Sequence, residues 1–325
     1  MYVFRVYGRA PTNQARDAAP KLDAMPVLSP YAALLARVSV TESVITALGS
    51  ETHYWTYGPE DAAVTVLVVH GYRGDHHGLE PMVAQFEGVR FVMPDLPGFG
   101  ASTPLTGSRH DVDGYASWLA AFTSALDLGG AILLGHSFGS IVSSAAVATG
   151  LVAPPKLVLI NPIAASALQG PSGILTRGAI GYYRLALALP EKVGFWMLGN
   201  WALVRGISVT MVESKDPVVR RFVHDQHHTY FSRYASRQTV VEGFDASVSH
   251  DVSEFADSIS VPTLLVGALK DPITSPKQVE ALHQRITGSE LRMIPDVGHL
   301  VHYETPRAAA EAILPFLGGG ALATV

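Results

Sequence analysis

Apolar positions along the chain fall into short runs that alternate with stretches of helical periodicity. The runs beginning at Val64, Phe91, Ala131, Lys156, Thr263 and Leu291 are brief and mostly rich in Val, Ile and Leu, as buried strands are. Between and after them, Tyr115 to Leu126, Phe138 to Ala148, Pro276 to Arg285 and Pro306 to Phe316 read as helices. Val38 to Val44 and His53 to Tyr57 have the look of an opening antiparallel pair. Strand and helix in alternation predict an α/β fold, with a mostly parallel central sheet flanked by helices on both faces. The alternation breaks once, between Asn161 and Ser260, where roughly 100 residues of mostly helical pattern are too many for a loop. They predict a helical cap at 163–259, inserted after the sixth strand, between core segments 36–162 and 260–320. Positions 11 to 30 are rich in Ala, Asp and Pro, so residues 1–35 are expected to form an N-terminal extension, loosely ordered or laid over the surface.

Composition adds limits. A chain of 325 residues that is 48% hydrophobic suits one core plus an insertion. The formal net charge is −5 with no block of like charges, so no partnership with nucleic acid or a membrane is indicated. The absence of cysteine rules out disulfides, a cysteine nucleophile and thiolate metal sites. Arg5 and Arg9 break the apolar start, which lacks the pattern of a signal peptide, so a cytoplasmic location is the default expectation. Phe195 to Met211 is the most membrane-like stretch, but Asn200 and Arg205 interrupt it and it is short for a span, which predicts a buried or cap helix pair.

The chemistry begins with Gly135-His136-Ser137-Phe138-Gly139, set directly after a strand and before a helix. A serine on so sharp a turn needs small neighbours, and glycines on either side let the turn close without Cβ clashes. The turn lifts the Ser137 hydroxyl above the sheet and puts the Phe138 amide at a helix N-terminus, where unpaired N–H groups can stabilise an oxyanion. A serine nucleophile needs a base and an acid to orient that base. Asp271 follows the strand at Thr263, and His299 follows the strand at Leu291. A solvated loop carboxylate is the plain alternative for Asp271, and Asp296 competes by proximity to His299, although its expected job is turn formation.

In the order Ser137, Asp271, His299 the chain resembles the α/β-hydrolase superfamily, specifically its capped serine hydrolases. The resemblance also rests on His70-Gly71 after the Val64 run, on Asp95-Leu96-Pro97-Gly98-Phe99-Gly100 with Ser102, and on Gly298-His299 with Glu304 and Pro306. It covers about residues 38 to 318. It implies a catalytic triad of Ser137, Asp271 and His299, with an oxyanion hole from the backbone amides of Tyr72 and Phe138 and a supporting loop at His70 and Gly71. Some members carry the acid one strand earlier, where this chain has Asn161-Pro162 and no carboxylate.

The implied activity is hydrolysis of a carboxylic ester, thioester or lactone through an acyl-enzyme on Ser137, without cofactor or metal. Carbon–carbon bond hydrolysis of a ring-cleavage product is the alternative, weakened by Ser140 where those relatives often have glycine. A hydrolase-like protein that binds a small ligand without turning it over stays open, since fold does not fix function. Ile174, Tyr182, Tyr183, Phe195, Trp196 and Trp201 supply large apolar groups to the expected cap, which favours a small-molecule substrate with an apolar part. His224, His227 and His228 have helical spacing that suits a metal, yet no further ligand is evident, and a wet or packed helix face is expected. Arg73, Asp75, His76 and His77 make the loop after Gly71 polar, and a solvent-exposed loop is expected there.

Overall fold

The predicted strand runs assemble into one eight-stranded sheet in the computed structural model, which describes residues 27–168 and 173–324. In chain order the strands are β1 (Val40–Ala47), β2 (Ser50–Tyr57), β3 (Val64–Val69), β4 (Val89–Pro94), β5 (Ile132–His136), β6 (Leu157–Ile160), β7 (Thr263–Ala268) and β8 (Glu290–Ile294). Their spatial order is β1-β2-β4-β3-β5-β6-β7-β8. The β1–β2 and β2–β4 pairs are antiparallel, and every other pair is parallel. Strands β5, β6 and β7 are buried at every position, the burial expected of a sheet covered on both faces. The opening hairpin is longer than the sequence pattern suggests, because Leu48 and Gly49 take positive φ (45° and 76°) and turn the chain between Ala47 and Ser50.

Two apolar layers enclose the sheet. On one face α1 (Val112–Ala125) and α2 (Phe138–Ala148) bury Trp118, Phe122 and Ile141 against Leu67, Leu133 and Leu159. Trp118 is wholly buried, and its indole N–H finds an acceptor in the Thr52 hydroxyl at 3.0 Å. On the other face, the helix Pro306–Leu317 buries Ala309 and Ile313 against Val66, Val68 and Val266. All the parallel strands therefore end at one edge, and the segments that follow them gather there, where ligands of open α/β sheets bind.

Between β6 and β7 the structure places α3 (Gly173–Ala188), α4 (Glu191–Leu198), α5 (Trp201–Met211), α6 (Pro217–Tyr230) and α7 (Arg237–Ser249). The stretch Phe195 to Met211 is the expected helix pair, broken at Asn200, whose side-chain oxygen accepts from the Ala202 amide at 2.9 Å and so starts α5. No helix among the described residues is long and apolar enough to cross a membrane. Of the expected extension, residues 1–26 lie outside the described residues. Tyr31 donates to the Tyr303 carbonyl at 2.7 Å and meets Phe222 edge-on, so the end of that extension lies against α6.

The insertion is fastened to the core by Arg73, contrary to the exposed loop the sequence suggests. Arg73, Asp75 and His76 are all nearly inaccessible to solvent. The Arg73 guanidinium donates to the Phe231 carbonyl at 2.8 Å, the Leu198 carbonyl at 2.9 Å and the Tyr183 hydroxyl at 3.1 Å. Its charge is thus spread over three acceptors from three parts of the insertion, and the Tyr234 ring adds a π face at 5.5 Å. A second tie runs from Gly98 and Gly100 to Ala235 and Arg233 through two backbone hydrogen bonds of 2.9 and 3.0 Å. Replacing Arg73 with Met should lower stability by about 2–4 kcal/mol, because it leaves buried carbonyls without donors. Arg73→Lys should recover only part of that loss, since an ammonium cannot span the same fork. Urea unfolding midpoints of the two variants check this.

Candidate active site

The Ser137 turn is built from contacts that only glycine permits. Ser137 sits at φ 53°, ψ −119°, between β5 and α2, a backbone conformation that costs energy in a residue with a side chain. A Cβ on Gly139 would lie 2.1 Å from the Val69 carbonyl oxygen, and one on Gly135 would lie 2.4 Å from the Gly139 oxygen. The turn is closed by the Ser137 amide donating to the Ile160 carbonyl (3.1 Å) and the Ser140 amide donating to the Ser137 carbonyl (2.8 Å). Ser140 also uses its hydroxyl, which donates to the Ser137 carbonyl and accepts from the Ile163 amide at 3.2 Å, bracing the turn against the start of the insertion.

The structure brings Ser137, His299 and Asp271 into one hydrogen-bonded line. His299 Nε2 lies 2.8 Å from Ser137 Oγ, and its Nδ1 lies 2.8 Å from Asp271 Oδ2. Asp271 Oδ1 accepts from the Ile273 and Thr274 amides at 2.8 and 3.2 Å, and Oδ2 accepts from Asn161 Nδ2 at 3.0 Å. Burial works to raise the Asp271 pKa, but the His299 charge and these donors outweigh it and hold the carboxyl below its ordinary value. Asp296 takes the turn role expected of it: φ is 58° and its side chain pairs with Lys270 at the surface, 2.8 Å away.

Opposite Ser137 stands the segment 70–72. The Gly71 position is so close that a Cβ there would come within 3.2 Å of Ser137 Cβ. His70 fixes this segment by donating from Nδ1 to the Gly71 carbonyl (2.8 Å) while Nε2 accepts from the Leu96 amide (2.8 Å). Tyr72 is anchored at its far end, with its hydroxyl on the Val240 carbonyl of α7 at 2.7 Å. Its backbone amide has no acceptor within the protein among the described residues. Phe138 opens α2, so its amide precedes the first helical hydrogen bond. Asp95, also read from the sequence, braces the same edge: its carboxylate accepts from the His76 amide and ring at 2.9 and 2.8 Å and from the Ala101 amide at 2.8 Å. Burial disfavours this charge, yet His76, His70 and the amide keep the Asp95 pKa at about 2.

A cavity of about 60 Å³ opens beside Ser137 and His299. Leu79, Met211, Phe231, Leu300 and Tyr303 give it an apolar lining, interrupted by His136, His227 and His302. From the insertion, then, Met211, His227 and Phe231 reach the cavity, and the large groups expected there do not. Trp196 and Trp201 are each 63% exposed, Ile174 is 77% exposed, and Tyr183 is buried against Phe244. His136 and His302 are buried with rings 4.1 Å apart. Burial, then the nearby His299 charge, pushes His136 down to about 3, while burial followed by His136 and His299 depresses His302.

A family model described as alpha/beta hydrolase family matches residues 66–312. The chain belongs to this family. A pimeloyl-[acyl-carrier protein] methyl ester esterase of Neisseria meningitidis is 26% identical over 264 residues, covering 80% of this chain and 95% of that relative. Lipase 3 of a Moraxella strain is 22% identical over 273 residues, covering 78% of this chain and 77% of that relative. Among solved structures, an esterase from Exiguobacterium antarcticum superposes with a TM-score of 0.70 at 18% identity, covering 86% of this chain and 100% of that one.

Within this alpha/beta hydrolase fold, sequence reasoning missed three residues at the site. In the sequence Asn161 reads only as a position without a carboxylate, whereas its side chain donates to Asp271. Ser140 reads only as a departure from glycine, and its hydroxyl braces the turn. His227 belonged to a helical histidine pattern whose neighbours the sequence does not show; its Nδ1 meets the Ser208 hydroxyl at 2.7 Å, and that hydroxyl meets His224 Nδ1 at 2.6 Å. Asp75, His76 and His77 also place ligand-type atoms within 4.8 Å of one another, but His76 is engaged by Asp95 and His77 by Asp75.

Because the Gly139 contact is with backbone, nothing flexible can yield to a larger residue. Gly139→Ala should cost at least about 2 kcal/mol of stability, since either β3 or the turn must shift. A fall of several degrees in melting temperature, larger than that of Gly129→Ala where a Cβ meets open space, checks it.

Proposed function

We propose that the protein hydrolyses a carboxylic ester through an acyl-enzyme on Ser137. The observation that carries this reading is the unbroken line from Ser137 Oγ through His299 to Asp271, both links 2.8 Å long. A serine hydroxyl is a poor nucleophile at neutral pH, so His299 takes its proton as the oxygen attacks the ester carbonyl. The carbonyl oxygen gains charge at the position served by the Tyr72 and Phe138 amides, where each fixed donor is worth about 3 kcal/mol in such sites. His299 then gives its proton to the departing alcohol, and water repeats the sequence to release the acid. Asp271 stabilises the imidazolium in between.

The cavity histidines support this assignment of roles. Burial and then His299 lower His136, and burial followed by His136 and His299 lowers His302, so in this reading the proton taken from Ser137 stays on His299, the ring hydrogen-bonded to Asp271. The reading is also in keeping with relatives named as esterases and lipases. Thioesters and lactones follow the same course. The helices between β6 and β7 act in this reading as a cap that narrows the site.

Ser137→Ala should lower kcat by several orders of magnitude with the fold retained, and should abolish labelling by a fluorophosphonate probe. Asp271→Asn should depress kcat/KM far more than Asp296→Asn. Wild-type turnover by the Ser137 variant would overturn the reading.

Cavity size sets the acyl preference. With about 60 Å³ of apolar-lined space beside Ser137, kcat/KM for p-nitrophenyl esters should rise from acetyl to about butyryl, by up to about 1 kcal/mol per added methylene, and then fall. A profile that climbs through long chains contradicts the small pocket, and rapid cleavage of a vinylogous diketone without ester turnover moves the reaction to carbon–carbon hydrolysis.

A further inference from the structure

A second cavity, of about 340 Å³, lies on the insertion between α5 and the start of α6, outside the Ser137 site. Its walls carry Arg205, Lys215, Arg220, Arg221 and His224. None of the four cations forms an ion pair among the described residues. Arg220 donates to the Ser214 carbonyl at 3.1 Å, and the nearby Asp216 is occupied in capping α6, its Oδ1 accepting from the Val218 amide. The four positive side chains converge on one cavity with no contact ion pair among the described residues, the charges of Asp225, Glu304 and Asp296 reaching Arg221, Arg220 and Lys215 only at a distance, and they favour an anion between them. Guanidinium forks match a tetrahedral oxyanion in geometry as well as charge.

The pocket is wired to the Ser137 cavity. His224 in its wall, Ser208 and His227 form a buried chain with links of 2.6 and 2.7 Å, and His227, whose buried Nε2 has no partner among the described residues, lines the Ser137 cavity. Burial, then Arg205 and Arg220, lowers His224 to about 4, and burial, then His224 and His228, lowers His227 to about 3, so both rings are neutral at neutral pH. A neutral imidazole has one N–H, and the serine hydroxyl has one proton, so the chain has a direction. We propose that the cationic pocket binds a phosphate-class anion and that the bound anion sets the tautomer of His227. An anion oxygen accepts from His224 Nε2–H, which leaves His224 Nδ1 bare to accept from Ser208. Ser208 oxygen then accepts from His227 Nδ1–H, and His227 Nε2 becomes a bare acceptor in the wall of the Ser137 cavity.

Titration of the whole protein with inorganic phosphate, followed by histidine ring ¹⁵N spectra, tests this without any need for turnover. Phosphate should bind saturably at millimolar concentration where chloride does not, with His224 and His227 responding together and His227 Nε2 moving to the shift of an unprotonated nitrogen. Arg205→Gln/Arg221→Gln should weaken binding about tenfold or more. Ser208→Ala should bind phosphate but lose the His227 response. No saturable response to phosphate, or binding unaffected in the double arginine variant, overturns the site; a His224 response with a silent His227 in the wild type overturns the link. The source of the phosphate is read from kinetics. If it is a free ion, added phosphate changes kcat/KM for p-nitrophenyl butyrate in the wild type and not in the double variant. If it belongs to the substrate, the double variant raises KM about tenfold for a butyryl ester of glycerol phosphate and leaves p-nitrophenyl butyrate unchanged.

Discussion

Everything at the candidate site depends on how closely α2 can approach β3. Ser137 holds an unfavourable backbone conformation because the chain around it is clamped from three sides: by Val69 and His70 packed on Gly139, by Ile160 receiving its amide, and by Ser140 folding back on its carbonyl. Strain of this kind persists only where neighbours over-determine it, at a cost of about 1–3 kcal/mol. The return is position: the serine oxygen stands off the sheet edge, and the first amide of the helix stands beside it. The same closeness limits what surrounds the turn, because a side chain at 71, 135 or 139 would occupy space that Ser137 or its supports already fill.

Electrostatics impose a second order on the region. The sheet edge gathers His70, His136, His299 and His302, a concentration of basic groups that would be untenable if several were charged. Burial and mutual repulsion keep His136 and His302 neutral, and His70 is likewise lowered by burial. The carboxylates are spaced to match: Asp95 faces His76, and Asp271 faces His299. Of the four rings at this edge, His299 is the one hydrogen-bonded to a carboxylate among the described residues.

Much of this was legible in the sequence because it is written locally. A strand, a glycine-flanked serine and a helix are consecutive, and α2 and the helix after Ser275 begin and end where their patterns do. Asp271 and His299 are legible through their places after strands, which the order of the sheet converts into proximity. What the sequence hid are partners far apart in the chain. The charged loop at Arg73 to His77 reads as solvated, and becomes buried only because carbonyls at Leu198 and Phe231 receive the guanidinium. In the same way, the apolar residues of the insertion promise a lined pocket, whereas helical packing turns Trp196 and Trp201 outward and sends Met211 and Phe231 toward Ser137. Residue type alone carries no information about which face of a helix meets the core.

The hydrogen bond between Asn161 and Asp271 joins the two ends of the insertion, since Asn161 closes β6 and Asp271 follows β7. Pairing of these parallel strands, from Leu157 with Thr263 to Ile160 with Val266, ties off everything between them as a single closed loop. The entropy of closing a loop grows only with the logarithm of its length, by about 0.6 kcal/mol for each doubling. Helices can therefore be lengthened, exchanged or removed at this point at almost no cost to the closure itself, while the strand ends that carry the acid and its amide partner keep their register. The insertion is free to diverge in size and shape while the strand ends on either side of it stay in place.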